Sequence, residues 1–267
     1  MADLIRTLQF LIRQEQSENK NQGRIEQYIY PFILDFLYNH SVYRKLNLTG
    51  DACLHYIYGL PQFPEKLVLN NNSGIALDDF TDEIRSYFNY EAGFPEFEIG
   101  EQIGNQWTIR KYLSFPLSSD SNSSETSVRI EIWNHPERAS IAYTPLFLGG
   151  FSFVPAHFTI ETIMAGYLLE CLETPVFEET SAESEAVWLL WDLLWMMKKG
   201  IQPDEQKLVS EGKRPYTVQT AMLLLMDRVN AIDFNMDSIG KLSKEADAEP
   251  EASLRELVSE AVRVYFE

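Results

Sequence analysis

Cysteine is almost missing from this chain. It has two, Cys53 and Cys171, each inside an apolar helical pattern, "ACLHYIY" and "YLLECLE". Thiols so placed read as buried and free, which excludes a disulfide-built scaffold. Histidine is also sparse, and His40, His55, His135 and His157 share no zinc-type spacing. Positive charge is short: 22 basic residues stand against 40 acidic ones, for a net charge of −18. Such a surface repels a phosphate backbone, and no basic stripe offsets it, so nucleic acid is not expected as a partner. A protein partner, most naturally a basic one, suits this field better. Long hydrophobic runs are absent as well. "AMLLLM", residues 221–226, is too short to span a membrane. The first residues, "MADLIRTLQFLIRQEQ", carry Arg6, Arg13 and Glu15 within an apolar pattern, so they read as an amphipathic helix rather than a signal peptide. A cytoplasmic chain without a membrane segment is the expectation. No Walker-type loop and no GxGxxG is present.

What is there is apolar and aromatic. Of 267 residues 45% are hydrophobic and 13% aromatic, enough for one large or two small packed domains. Apolar residues at helical spacing predict helices over 2–16 and over about 24–46, the second with Pro31 inside it as a kink or a break. A short helix ends near Tyr58, "GLPQFP" turns, and "KLVLN" is a strand. Residues 79–90 read as a helix with Phe80, Ile84 and Tyr87 inward. "WTIRKYLSFPL" and "SVRIEIW" read as strands joined by the exposed loop "SSDSNSSET", and "TPLFLGGFSFVP" as an extended segment with a Gly-Gly bend. After His157 the pattern turns helical: 159–173, 181–199, 216–232 and 254–266, with the acidic connection "LSKEADAEPEAS" before the last. The expected division is 1–155, an α/β domain with N-terminal helices, and 156–267, a helical domain.

The stretch "GDACLHYIYGLPQFPEKLVL", Gly50 to Leu69, resembles without a gap the first motif of the AbiEii-type nucleotidyltransferases, approximately "GGTALRLLYGLPRFSEDLDF". These belong to the polymerase-β-like superfamily and are often found in toxin–antitoxin or phage-defence pairs. "SVRIEIW" is similar to the strand that carries the family's third acid, here at Glu131. "TIETIMAGYLLECLE" and "AVWLLWDLLWMMKKGIQPD" resemble the family's two later helices, with Glu161, Ala165 and Asp192 on matching positions. The resemblance implies an α+β fold: a small mixed sheet of nucleotidyltransferase palm type packed with a C-terminal helical bundle.

It also implies a site, and the site residues depart from the pattern. The family's two strand acids hold divalent metal ions that bridge a triphosphate, which needs hard oxygen ligands. Lys66 and Val68 stand there instead, two apart and therefore on one face. The glycine-rich turn matches Gly50-Asp51-Ala52, where Asp51 brings a negative charge and is expected to N-cap residues 52–58. The family lysine of the first helix matches Tyr167, and the "RD" of the second matches Trp188 and Leu189. Glu131 and Asp192 remain. Glu131 has the alternative of an outward strand position between Ile130 and Ile132, and Asp192 that of a structural hydrogen bond among Trp188, Trp191 and Trp195. Lys66 could pair with Glu131 or Asp192 and neutralise a buried acid without metal. The degenerate pocket is thus Gly50, Asp51, Lys66, Val68, Glu131, Tyr167 and Asp192, with no metal or cofactor expected. The expected function is a catalytically degenerate nucleotidyltransferase-fold protein that acts through protein binding or regulation, in a toxin–antitoxin or phage-defence setting. The alternative is an active enzyme using Mg with a nucleoside triphosphate, with displaced acidic ligands drawn from Asp51, Asp78, Asp79, Glu131 and Asp192.

Overall fold

A computed structural model of the chain describes residues 23–94, 98–105, 108–116, 125–173, 183–231 and 254–266. The expected helix 2–16, most of the loop after residue 116 and the acidic connection 242–253 lie outside the described residues. Contacts divide the chain into two units. The first comprises Met1–Cys53, Phe63–Pro136 and Ile141–His157; the second comprises Leu54–Gln62, Glu137–Ser140 and Phe158–Glu267.

The first unit is built on a mixed seven-stranded sheet of order β3-β4-β5-β2-β1-β9-β6. The strands are β1 (Asn47–Thr49), β2 (Lys66–Asn70), β3 (Glu98–Asn105), β4 (Thr108–Pro116), β5 (Glu125–Trp133), β6 (Ile141–Tyr143) and β9 (Ala156–Phe158). β7 (Leu146–Leu148) and β8 (Phe151–Phe153) form a separate hairpin. β2 runs parallel to β5 and antiparallel to β1, while β5 runs antiparallel to β4. The mixed sheet and flanking helices match the expected α+β class, though the sheet is larger than expected. β3 has no apolar alternation in "EIGEQIGN", which is why the sequence gives no sign of it.

Helix α1 (Gly23–Asn39) stops earlier than expected, and a short 3-10 turn follows at Tyr43–Lys45. Pro31 neither breaks nor ends α1. The partner it withholds belongs to Gln27, four residues back, which is exposed to water. α1 buries Ile29, Tyr30, Ile33, Leu34 and Leu37, one continuous apolar face. Helix α2 (Gly50–Tyr58) bridges β1 and the turn before β2, and α3 (Phe80–Ser86) continues into a wider π turn at Tyr87–Ala92. Phe80 is fully buried, with Tyr43 at 4.9 Å and Phe36 at 5.9 Å between ring centroids; Tyr87 stands 5.4 Å from Phe36.

The sheet alternates cleanly. Leu67, Leu69, Ile130 and Ile132 are fully buried on one face. Lys111 is register partner to Ile130 and so shares that face, where its ammonium meets Thr81 Oγ1 of α3 at 2.6 Å. The hairpin turn at Gly149-Gly150 has positive φ at both residues. At Gly149 a Cβ would also fall 2.8 Å from Pro31 Cβ, so α1 and the hairpin can approach only over glycine.

The second unit is helical: α4 (Ile160–Glu173), α5 (Glu183–Lys198), α6 (Glu205–Glu211), α7 (Val218–Ala231) and α8 (Leu254–Arg263). α6 is an addition to the expected set. Asp204 caps it by accepting from Gln206 N at 3.0 Å and Lys207 N at 3.2 Å. Its Lys207 ammonium is buried yet fully bonded, to Glu137 Oε2 at 2.8 Å, Glu211 Oε2 at 2.6 Å and the Arg138 carbonyl at 3.3 Å. Cys53 and Cys171 are both buried and not joined in a disulfide, as expected, and burial pushes both thiols up.

The aromatic cluster under α1 predicts a measurable core. Phe80→Ala removes a fully buried ring and is expected to cost about 3–5 kcal/mol in urea unfolding. A loss below about 1 kcal/mol would contradict the packing described.

Candidate functional site

The face opposite that core is where the sequence places the site. Register fixes its members. Val68 pairs with Glu131, Lys66 with Arg129, Arg110 with Glu131, and Thr49 with Val68. Register partners point to the same side, so Lys66, Val68, Thr49, Arg110, Arg129 and Glu131 form one patch. Val68 is buried and offers no lone pair. Ile130 and Ile132 do point inward and Glu131 lies on the opposite face, as the alternation implies, yet its side chain is only 5% exposed.

A buried carboxylate needs compensation, and this one is ringed by cations. Lys66 Nζ donates to Glu131 Oε2 at 3.0 Å. Arg110 Nε donates to Oε1 at 3.1 Å, and Arg129 Nε lies 3.6 Å from the same oxygen. Burial alone pulls the Glu131 carboxyl upward. The Lys66 charge and hydrogen bond, then Arg129 and Arg110, outweigh that pull and hold it below its ordinary value of 4.5. Of the two partners considered for Lys66, Glu131 is thus the one engaged.

Asp51 stands at the rim of the patch. α2 begins at Gly50, which takes a φ of 69°, so Asp51 lies in the first turn and not at the cap position expected for it. Its carboxylate accepts from Ala52 N at 3.0 Å and from Glu65 N at 3.2 Å, which fastens the start of α2 to the turn that feeds β2. Burial raises the Asp51 carboxyl to about 6 against the lowering by Lys66 and the two N–H groups.

The remaining candidates are on other elements. Tyr167 is half-buried on α4 and Asp192 buried on α5, both in the second unit. Asp78 and Asp79 are exposed and lead into α3, whose Thr81 meets Lys111 on the face opposite to Glu131. The two acids therefore start a helix on the wrong side of the sheet to replace the strand acids. Among the described residues no three His, Cys, Asp or Glu side chains converge as a metal-binding group. The donor set does not fit a divalent ion: one carboxylate, both oxygens engaged, beside an ammonium and two guanidinium groups. Sequence reasoning missed Arg110 and Arg129. The period-two pattern of "SVRIEIW" places Arg129 with Glu131, but Arg110 joins them only through the β4–β5 register.

These elements define a nucleotidyltransferase fold: a mixed sheet whose β2 and β5 run parallel, with a short helix and "GLP" turn ahead of β2. The chain is similar in fold to two solved structures, both from Helicobacter pylori. One is of JHP933, with TM-score 0.57 and 15% identity over 91% of this chain and 90% of that one. The other, described as a nucleotidyltransferase candidate, has TM-score 0.57 and 15% identity over 91% of this chain and 93% of that one. No family model and no curated protein matches the chain.

The opposed carboxyl shifts predict a pH profile. Asp51 takes up its proton at about 6 in the folded chain against an ordinary 3.8, so the folded state binds more protons between these values. Its contribution therefore raises stability as pH falls from about 7 to about 4, and Asp51→Asn flattens that rise. Glu131 acts the other way: its contribution is present above its ordinary 4.5 and lost as pH falls through its lower folded value. Urea midpoints across this range test both signs; an unchanged profile in Asp51→Asn would refute the Asp51 assignment.

Proposed function

We propose that this protein uses a nucleotidyltransferase fold for binding or regulation and does not carry out metal-dependent nucleotidyl transfer. One observation carries the reading: the Lys66 ammonium sits 3.0 Å from Glu131, on the strand positions where the AbiEii-type motif has metal-binding acids. Two-metal transfer needs carboxylates that share divalent ions with a triphosphate. Here the single strand acid already has its countercharges. A divalent ion would have to displace Lys66 and Arg110 and stand beside their positive charges. The degeneracy is local, since the sheet order and the helix before β2 keep the frame.

The acidic surface supports a protein partner of basic character, and the resemblance to AbiEii-type chains favours a toxin–antitoxin or phage-defence setting. An active enzyme with displaced ligands has less support, because Asp78 and Asp79 lead away from the Glu131 face and Asp51 is tied to two N–H groups.

Calorimetric titration of ATP, GTP, CTP and UTP, with and without magnesium or manganese, tests the reading. Neither ion is expected to strengthen binding of any nucleotide, and no nucleotide is expected to be transferred to protein or RNA acceptors. Metal-dependent tightening by about tenfold or more would overturn it.

A further inference from the structure

We propose that the Glu131 face is an anion site that takes a phosphate group without a metal ion. The inference rests on the reading above that this face holds no divalent cation, and it adds a ligand class to it.

The geometry is that of cations in excess of need. One buried carboxylate faces Lys66, Arg110 and Arg129, whose side chains are 30%, 39% and 32% exposed. A single lysine neutralises a single carboxylate. Among the described residues the other two charges share that same carboxylate: Arg110 gives it only its Nε, and Arg129 Nε lies 3.6 Å from it without a hydrogen bond. The terminal guanidinium nitrogens of both arginines have no hydrogen-bond partner among the described residues. Lys66 and Arg129 are also register partners on adjacent strands. Like charges directly opposite destabilise a sheet, and here the Glu131 carboxylate is the anion that both contact.

The buried lysines of the same protein show what a purely structural cation looks like. Lys207 uses all its donors, on two carboxylates and a carbonyl. Lys111 is held by Glu101 and Thr81. Lys66 makes one bond and keeps two donors for something else. Two guanidinium forks and an ammonium, partly exposed on a flat strand face, are the donors that recognise phosphate oxygens. Arginine supplies paired N–H groups and lysine a point charge, so the arrangement suits a phosphate monoester or a polyphosphate better than a carboxylate. Asp51 opposes it: its carboxylate interacts with Lys66, and with Glu65 beside it lowers the local positive charge.

The test is calorimetry of the full chain with inorganic pyrophosphate in EDTA at constant ionic strength, with orthophosphate and ATP as further arms. Pyrophosphate is expected to bind without metal, and excess magnesium to weaken it by neutralising the ligand. Arg129→Ala and Arg110→Ala are each expected to weaken binding by about tenfold, the order of one charge-assisted hydrogen bond. Asp51→Asn is expected to tighten it, an outcome that misfolding cannot produce. ATP binding tighter than pyrophosphate would identify a nucleotide as the phosphate carrier, and equal binding a free phosphate; either supports the site. No binding in EDTA, or binding indifferent to all three substitutions, would overturn the anion site and leave the preceding proposal standing. Binding only with magnesium would overturn both.

Discussion

The ion pair between Lys66 and Glu131 decides what the central strands can do. β2 and β5 lie side by side in parallel, and their register brings position 68 against 131 and position 66 against 129. Any side chain at 66 or 68 therefore meets Glu131 on one flat face. With acids there, three carboxylates would repel one another until divalent ions joined them. With lysine and valine there, the same acid is neutralised by a side chain, and the face needs no ion to be stable. Lysine and valine on one strand thus let a side chain balance Glu131, while the opposite face keeps Leu67, Leu69, Ile130 and Ile132 in the core.

The same logic recurs away from the site. In a chain with net charge −18, several of the scarce cations are spent inside the fold. Lys111 holds α3 against the sheet, and Lys207 gathers Glu137, Glu211 and the Arg138 carbonyl within the helical unit. Each buried ammonium there has carboxylates and neutral acceptors around it, which is what makes burial of the charge tolerable. At Glu131 the polarity is reversed: one buried acid has surplus cations. That reversal, rather than the presence of charge as such, separates the candidate site from the structural pairs.

Much of this is legible in the sequence. The "YGLP" turn and "KLVL" strand announced β2, the alternation in "SVRIEIW" announced β5, and two-residue spacing put Lys66 and Val68 on one face. Helices α1, α4, α5 and α7 followed from apolar spacing. Other features were hidden for physical reasons. β3 carries no alternating apolar residues, and α6 is short and mostly polar, so neither has a periodic signal. Arg110 is forty-four positions from Lys66 and joins it only through strand pairing. Asp51 looked like a helix cap because it follows a glycine and precedes an apolar turn, but the helix starts one residue earlier at Gly50. The expected cap residue instead joins the start of α2 to the backbone at Glu65.

The most direct measurement of the central claim is a carbon-13 NMR titration of the Glu131 carboxyl, assigned by its disappearance in Glu131→Gln, in the wild-type chain and in Lys66→Met. The wild-type midpoint is expected to lie below the ordinary 4.5 and to move upward when the ammonium is removed. A wild-type midpoint at or above the ordinary value, or one that Lys66→Met leaves in place, would contradict the ion pair on which the reading of this face is built.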